Sequence, residues 1–324
     1  MERKIKLLHV LADHKMWSGE ALASKLGVTR ATVSQWIKQL QQSGMEFNIV
    51  KGRGYRLVSP VQLLDKQLLL DSLSPKVRSL LSLVDISVQS PSTNDSAMKA
   101  QYPPGKWLLF STEHQTQGRG RRGRTWESPP CSNLAFSLGY KGHIPMSQLY
   151  MSSLIAGYAV ASELADCCQV DVKIKWPNDV YINDKKVAGI LCELQGSPPD
   201  DVLLVIGTGI NVFSEPNLTT QGAADVTSLA RESRSGFTRT ELLARLTDRM
   251  ISFFYEFEKN GVDWFIKQWS ALDLLNGRPI RVLKGDQVFQ GVGAGIDESG
   301  QLRLKDQSGA VVLFNGGEVS VRWN

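Results

Sequence analysis

The chain is expected to fold as an α+β protein in three parts: a winged helix-turn-helix over residues 1–60, a central mixed sheet with helices packed on one face over 61–275, and a small all-β module over 276–324. Three observations predict this: a basic, helical N-terminal segment, an alternation of strand-like and helix-like runs in the middle, and a series of short strands separated by turns at the end. Of the net charge of +5, residues 1–58 hold ten Lys/Arg against four Asp/Glu, while the remaining residues hold 27 against 28. The basic excess therefore belongs to the N-terminal part, and a polyanionic partner is expected there.

In that part, Ile5, Leu7, Leu8 and Leu11 predict a first helix. Ser18 offers an N-cap for a second over Glu20 to Leu26, stopped by Gly27, and Thr29 caps a third from Arg30 to about Ser43, closed by Gly44. Val33, Ile37 and Leu40 form the inner face of the third helix. The residues Arg30, Thr32, Ser34, Gln35 and Lys38, with the cap Thr29, are suited to base edges and phosphates in a major groove. Next comes a hairpin, Glu46 to Val50 and Tyr55 to Val58, whose tip Lys51-Gly52-Arg53-Gly54 is a basic wing.

Pro60 to Asp71 is expected as a short helical linker. Beyond it, strands are predicted at Leu80 to Val88, Trp107 to Thr112, Asn133 to Leu138, Val172 to Trp176, Lys186 to Leu194 and Val202 to Val212, and helices at Ser92 to Ala100, Gln148 to Cys168 and Thr240 to Asn260. Polar motifs gather at the strand ends: Ser92-Thr93-Asn94, Gln115, the run Gly118-Arg119-Gly120-Arg121-Arg122-Gly123-Arg124, Trp126, and Lys175-Trp176-Pro177-Asn178-Asp179. Four guanidiniums among glycines suit an anion approached closely by backbone. The C-terminal part reads as strands at Pro279 to Leu283, Gln287 to Ile296, Gln301 to Leu304, Val311 to Phe314 and Glu318 to Val321, spaced as in a small barrel.

No Ser-His-Asp order, metal-spaced His/Cys cluster or Walker loop is present, which argues against covalent or metal-hydrolase catalysis. Cys131, Cys167, Cys168 and Cys192 have no C-x-x-C spacing, and no run reaches the roughly 18 apolar residues of a membrane span, so a cytoplasmic protein without a membrane partner is expected. A site of cations and neutral hydrogen-bonding groups suits phosphoryl or adenylyl transfer, where positioning and charge stabilisation supply most of the rate.

In sequence order, Ser92-Thr93-Asn94, Gln115 to Trp126 with its arginine run, Lys175-Trp176-Pro177-Asn178-Asp179 and Lys186-Val187-Ala188-Gly189-Ile190-Leu191 closely resemble the biotin protein ligases. With the winged helix, essentially the whole chain is similar to the bifunctional ligases that also repress biotin genes. The resemblance implies a class II synthetase-like catalytic domain and an SH3-like C-terminal barrel. It implies that biotin and ATP, with Mg²⁺, give biotinyl-5′-AMP, and that the biotinyl group passes to a lysine of biotin carboxyl carrier protein. Further implications are operator DNA as a partner, biotinyl-AMP as corepressor, and a homodimer when the adenylate is bound. By residue, it implies catalytic roles for Arg119, Arg121 and Lys186 and a biotin site of Ser92, Thr93, Asn94, Gln115, Arg119, Gly120, Arg121 and Lys186. A nucleotide site of Arg121, Trp126, Asn178, Asp179, Asn211 and Arg322 completes it, with no dedicated metal ligands. Two alternatives stay open: a ligase whose helix-turn-helix does not repress, and a biotin-sensing transcription factor without transfer activity.

Overall fold

The computed structural model describes residues 2–127, 129–198, 200–214, 226–317 and 319–323. Helices α1 (Glu2–Leu11), α2 (Gly19–Leu26) and α3 (Arg30–Gln42) and the hairpin β1 (Phe47–Val50) and β2 (Gly54–Leu57) build the winged helix. Its boundaries follow local chemistry. The Ser18 side chain accepts from Ala21 N at 3.1 Å and Thr29 Oγ1 from Thr32 N at 3.1 Å, each filling an orphan donor of a first turn. Gly27 ends α2 in the left-handed region at φ 63°. Leu7, Leu8, Leu11, Leu22, Val33, Ile37 and Leu40 are fully buried as one core, joined at its edge by Val61 and Cys131. The winged helix thus packs against the catalytic unit at Val61 and at Cys131, just before β5.

The linker departs from expectation. Its first part is not helical, and helices begin only at α4 (Lys66–Ser72) and α5 (Pro75–Leu80). The reason is a buried clamp: Arg239 is fully buried and bonds Glu113 Oε2 at 2.7 Å, while its backbone N–H donates to Gln62 Oε1 at 2.8 Å. Leu64 N donates to Glu113 Oε1 at 2.5 Å. With the Leu64 amide and both the carbonyl and the side chain of Gln62 held by these distant partners, the linker stays non-helical as far as Asp65, whose carboxylate caps α4 through Leu68 N at 3.0 Å.

The catalytic unit is built from β3 (Leu81–Ser87), α6 (Thr93–Met98), β4 (Trp107–Thr112), β5 (Leu134–Gly142), α7 (Met146–Cys168), β6 (Val172–Lys175), β7 (Asp179–Ile182), β8 (Lys185–Gln195), β9 (Val202–Ile210), α8 (Leu229–Glu232) and α9 (Arg239–Leu272). The seven strands lie in the order β3-β4-β5-β9-β8-β7-β6, antiparallel throughout except for the parallel β3-β4 pair, so the sheet is mixed as expected. Helices α7 and α9 cover one face. Helix α6 covers the other, where Ala97 meets Leu108, Phe110, Leu203 and Val205. The expectation of helices on one face is corrected by the unbroken apolar run Trp107 to Phe110: both faces of β4 are buried, and such a strand does not alternate. The long last helix runs past the expected end at Asn260, through a break at Gly261 (φ 79°), to Leu272. Strand β7 is an addition to the expected set.

The C-terminal unit is a five-stranded antiparallel sheet of β10 (Pro279–Lys284), β11 (Gln287–Ile296), β12 (Leu302–Lys305), β13 (Val311–Phe314) and β14 (Ser320–Trp323), ordered β13-β12-β11-β10-β14. Among the described residues no ladder joins β13 to β14, so the barrel is seen as an open sheet; Glu318, expected in the last strand, lies outside the described residues. Ile280, Val282, Ile296, Leu302, Leu304 and Val321 share the core of the catalytic unit. Trp176 Nε1 bonds Gly300 O at 2.9 Å across the join. No helix among the described residues is long and apolar enough to cross a membrane.

Candidate active site

One cavity of about 160 Å³ gathers nearly all the predicted motifs: Ser92, Thr93, Asn94 and Gln115 at one end, the arginine loop and Trp126 over it, and Lys175 to Asp179, Lys186 and Arg322 around the rest. Glycines of β8 and β9 make the room. A side chain on Gly207 would collide with Asn94 Oδ1, and one on Gly209 with the Trp126 indole.

The polar end is prearranged. Asn94 Nδ2 donates to Glu193 Oε2 at 2.6 Å and to Leu191 O at 3.2 Å, and Ser137 Oγ lies 2.6 Å from Asn94 Oδ1 and 2.7 Å from Thr93 Oγ1. Thr93 N donates to Gln115 Oε1 at 3.0 Å. Ser92 precedes α6 without a side-chain capping bond, so its hydroxyl stays available at the cavity.

The arginine run is a folded-back hairpin. Gly120 N bonds Arg124 O at 2.7 Å and Trp126 N bonds Gly118 O at 2.9 Å, with Arg122 (φ 58°) and Gly123 (φ 70°) at the turn. Gly118 has to be glycine, because a Cβ there would strike the Trp126 carbonyl. The guanidiniums go to different places. Arg119 forms a two-pronged pair with Asp95 at 2.6 and 3.1 Å and reaches Glu193 at 3.5 Å; the Arg119 hydrogen bonds and charge hold the Asp95 carboxyl below its ordinary range. Arg121 donates to Asn178 Oδ1 at 2.9 Å and to Gly316 O. Arg122 reaches Ser320 Oγ at 3.1 Å and Gly317 O at 3.3 Å, so the loop is tied to the C-terminal unit. Arg124 is exposed at the rim.

The Lys175-to-Asp179 run is the turn between β6 and β7, with Lys175 paired to Asp179 in register and a cis peptide between Trp176 and Pro177. Asn178 Nδ2 bonds Ile190 O at 2.8 Å. Lys186 Nζ meets Asp179 Oδ1 at 2.6 Å and lies 5.8 Å from the Trp126 ring. Lys175 is buried, with its ammonium 4.4 Å above Trp323 and 5.9 Å from Tyr181; burial pulls its pKa down to about 8. Asn211 alone of the residues expected at the biotin and nucleotide sites lies off the lining: it is buried, and its side chain holds Thr227 O at 3.1 Å.

Residues that sequence reasoning does not single out are the supports, Ser137, Asp95 and Glu193, and the carbonyl of Gly316. None carries a motif signal, although acids placed beside an arginine-rich loop are a clue to charge pairing. Among the described residues no group of three or more His, Cys, Asp or Glu could hold a metal ion. On the winged helix, Thr29, Arg30, Gln35 and Lys38 are exposed and Thr32 and Ser34 half-buried on α3, and Lys51 and Arg53 are exposed at the wing tip. Thr29 and Thr32 hydroxyls also bond each other at 2.9 Å.

Residues 86–211 match the biotin/lipoate A/B protein ligase family, 3–56 an HTH domain, and 276–322 the biotin protein ligase C-terminal domain. The chain is 33% identical over 321 residues to the bifunctional ligase/repressor BirA of Escherichia coli, covering 98% of this chain and 97% of that protein. The chain belongs to the BirA family of bifunctional ligase/repressors. It is also 32% identical to the biotin--[acetyl-CoA-carboxylase] ligase of Paracoccus denitrificans, over 69% of this chain and 95% of that one. Among solved structures, the biotin protein ligase from Aquifex aeolicus in complex with biotin and ATP aligns with a TM-score of 0.61 at 25% identity, covering 75% of this chain and 99% of that chain. The P. denitrificans match leaves out about a third of this chain, whereas the BirA match takes in the winged helix as well.

Proposed function

We propose that this BirA-family ligase joins biotin to ATP and then to a carrier lysine in the single cavity described above, and that its winged helix carries the resulting ligand state to DNA. In the first step a biotin carboxylate oxygen bonds the α-phosphorus while the bond to the β-phosphate oxygen breaks, giving biotinyl-5′-AMP and pyrophosphate. In the second, the acceptor amine attacks the acyl carbon, the bond to the phosphate oxygen breaks, and AMP leaves as the amine loses a proton.

The observation that carries this reading is the adjacency of a neutral, prearranged polar pocket and a cation-rich one. Ser92, Thr93, Asn94 and Gln115, with the Arg119-Gly120-Arg121 backbone, suit an uncharged head group such as the biotin ureido ring. Arg121 and Lys186, both on the lining, would neutralise a carboxylate and an α-phosphate that repel each other as they meet. Trp126, Asn178, Asp179 and Arg322 would hold the nucleotide; Asn211 would act on it only through its strand end. Asp179 is a carboxylate on the lining, but among the described residues no group of three or more His, Cys, Asp or Glu could hold a metal, so Mg²⁺ would arrive on the triphosphate rather than in a protein cage. Arg119, locked to Asp95, would contribute by holding the loop and by its backbone.

On the DNA side, Thr29, Arg30, Thr32, Ser34, Gln35 and Lys38 would enter a major groove with Lys51 and Arg53 on the adjoining backbone, as a homodimer once biotinyl-AMP is bound. The deciding experiment is ATP-dependent labelling of a biotin carboxyl carrier domain, run beside binding to the promoter of biotin synthesis genes with and without biotin and ATP. Label on the carrier lysine and ligand-enhanced promoter binding are expected. Label without promoter binding would leave a ligase with a non-repressing N-terminal domain, and promoter binding without label would leave a biotin-sensing transcription factor.

A further inference from the structure

Cys167 and Cys168 close α7, and their sulfurs lie 3.4 Å apart although consecutive residues of a helix ordinarily point to different sides. The helix ends there, with Gln169 following in the left-handed region at φ 54°. Cys168 is fully buried and Cys167 is 9% exposed. Their cover is the segment after α8, where Arg234 and Gly236 are exposed and Ser233 and Ser235 half-buried. That segment holds the end of the helix by its carbonyls: Arg234 N donates to Cys168 O at 3.0 Å, Ser233 Oγ to the same oxygen at 3.4 Å, and Ser235 Oγ to Cys167 O. The Cys168 thiol is drawn below the ordinary thiol range, first by the hydrogen bond from Cys167, against the effect of burial, and then by Ser233 and the Arg245 guanidinium on α9. Glu163, which pairs with Arg245, acts in the opposite sense. Cys167, as the donor, is pushed up. A sulfur biased toward thiolate and touching a second thiol is arranged so that its first oxidation product is captured at once.

We propose that Cys167 and Cys168 are a reversible oxidation site, which a hydroperoxide closes to a disulfide ring, and that closure loosens the segment after α8 and, through it, the edge of the catalytic cavity. In the first step the Cys168 thiolate attacks a peroxide oxygen, the O–O bond breaks, and the departing alkoxide takes a proton and leaves as alcohol, or as water from hydrogen peroxide. In the second the Cys167 sulfur attacks Cys168, the S–O bond breaks, and the hydroxyl leaves as water with the Cys167 proton. Two thiol hydrogens are lost and the peroxide gains two electrons. The ring does not fit the helix. Neighbouring Cα atoms stand about 3.8 Å apart, whereas a disulfide favours roughly 4.4–6.8 Å between Cα atoms and about 2.05 Å between sulfurs, so the sulfurs join by unwinding the last helical turn. A strained disulfide is also readily reduced, as a reversible site requires. The carbonyls of that turn are the ones held by Ser233, Arg234 and Ser235. The same stretch of chain begins at Thr227, whose N–H donates to Lys186 O at 2.9 Å, whose carbonyl accepts from Asn211 Nδ2 at 3.1 Å and whose hydroxyl bonds Glu232 at 2.6 Å. Displacement at the end of α7 therefore has a bonded route to Lys186.

The test treats the full chain with hydrogen peroxide in graded excess, followed by peptide mass mapping without reduction, trypsin cleavage after the exposed Arg234, and carrier labelling before and after a dithiol reductant. The peptide holding both cysteines is expected to lose two hydrogens, and cleavage after Arg234 to become faster as the segment opens. Labelling is expected to slow by about two- to tenfold, the scale of one hydrogen bond displaced at Lys186, and to recover with the reductant. Cys168→Ala is expected to form no ring and to lose no activity that the reductant restores, whereas Cys192→Ser should respond as the natural chain does. Two intact thiols in the mapped peptide, equal cleavage before and after oxidation, an unchanged labelling rate in the oxidised chain, or the same recoverable loss in Cys168→Ala would each overturn the proposal. If Cys168→Ala does not fold, the mapped peptide and the cleavage rate of the natural chain decide. A chain that labels no carrier at all would remove the ligase reading alone, because those two measurements decide the oxidation site without it.

Discussion

Gly207 and Gly209 face the same side of β9, two residues apart, yet each makes room for a different partner: Asn94 for the first, the Trp126 indole for the second. Adding one methyl at each should therefore separate the two substrates. Asn94 is fixed by Glu193 and Leu191, so Gly207→Ala has to displace α6 and is expected to weaken biotin by between tenfold and the roughly hundredfold that a misplacement of about 1 Å costs. Gly209→Ala should instead raise KM for ATP with less effect on biotin, and calorimetric titration with each ligand would show whether the effects cross over in this way. Arg121 joins the loop to Asn178 and Gly316. Replacing it by Gly should release biotinyl-AMP at least about tenfold faster, since a hydrogen bond from a charged donor contributes about 1.5–3 kcal/mol; an unchanged dissociation rate in a chase experiment would contradict this. Side-chain identity is legible in the sequence here, because motif residues are chosen for chemistry. Side-chain pairing is not: nothing local in the sequence places Asp95 and Glu193 against Arg119, since those contacts close only when β8 and α6 come together.

At the scale of elements, the winged helix is legible almost to the residue because its signals are local: Ser18 and Thr29 as caps, Gly27 as a left-handed stop, and a 3.6-residue repeat of Val33, Ile37 and Leu40. The linker is not, because its conformation is imposed from 49 and 177 residues away, by Glu113 and Arg239. Strand β7 escapes for a related reason: four residues after a turn carry little periodicity, and their pairing to β6 and β8 supplies the order. The clamp makes its own prediction. Arg239→Met would strand Glu113 in the interior and is expected to lower stability by about 3–5 kcal/mol, as removal of one partner of a buried ion pair does. The double replacement Arg239→Met with Glu113→Leu should recover much of that loss. Urea unfolding of the three chains measures both effects; a single mutant as stable as the natural chain would mean that the pair does not hold the linker.

At the scale of the whole molecule, two chemistries share one chain while their charges are kept apart. The basic surplus of residues 1–58 is carried on a unit with its own core, and the cations of the cavity belong to the other core. Replacing Arg30 and Lys38 together by Ala should weaken promoter binding and reduce the slope of log affinity against log salt by about 0.9 for each phosphate no longer neutralised, with the ligation rate unchanged. Fluorescence anisotropy across a salt series, next to carrier labelling, tests this; an unaltered slope would take α3 off the DNA.

The cavity is finished from the far end of the sequence. Gly316, Gly317 and Ser320 hold the arginine loop, and Trp323 roofs Lys175. Units of a chain fold in the order in which they are synthesised. While residues beyond about 315 are still inside the ribosome, the winged helix and the seven-stranded sheet are already outside, but the loop has no anchor and the lysine no cover. A reactive mixed anhydride would then have no closed chamber to form in, so the order of translation would delay biotin activation until strand β14 has emerged and docked.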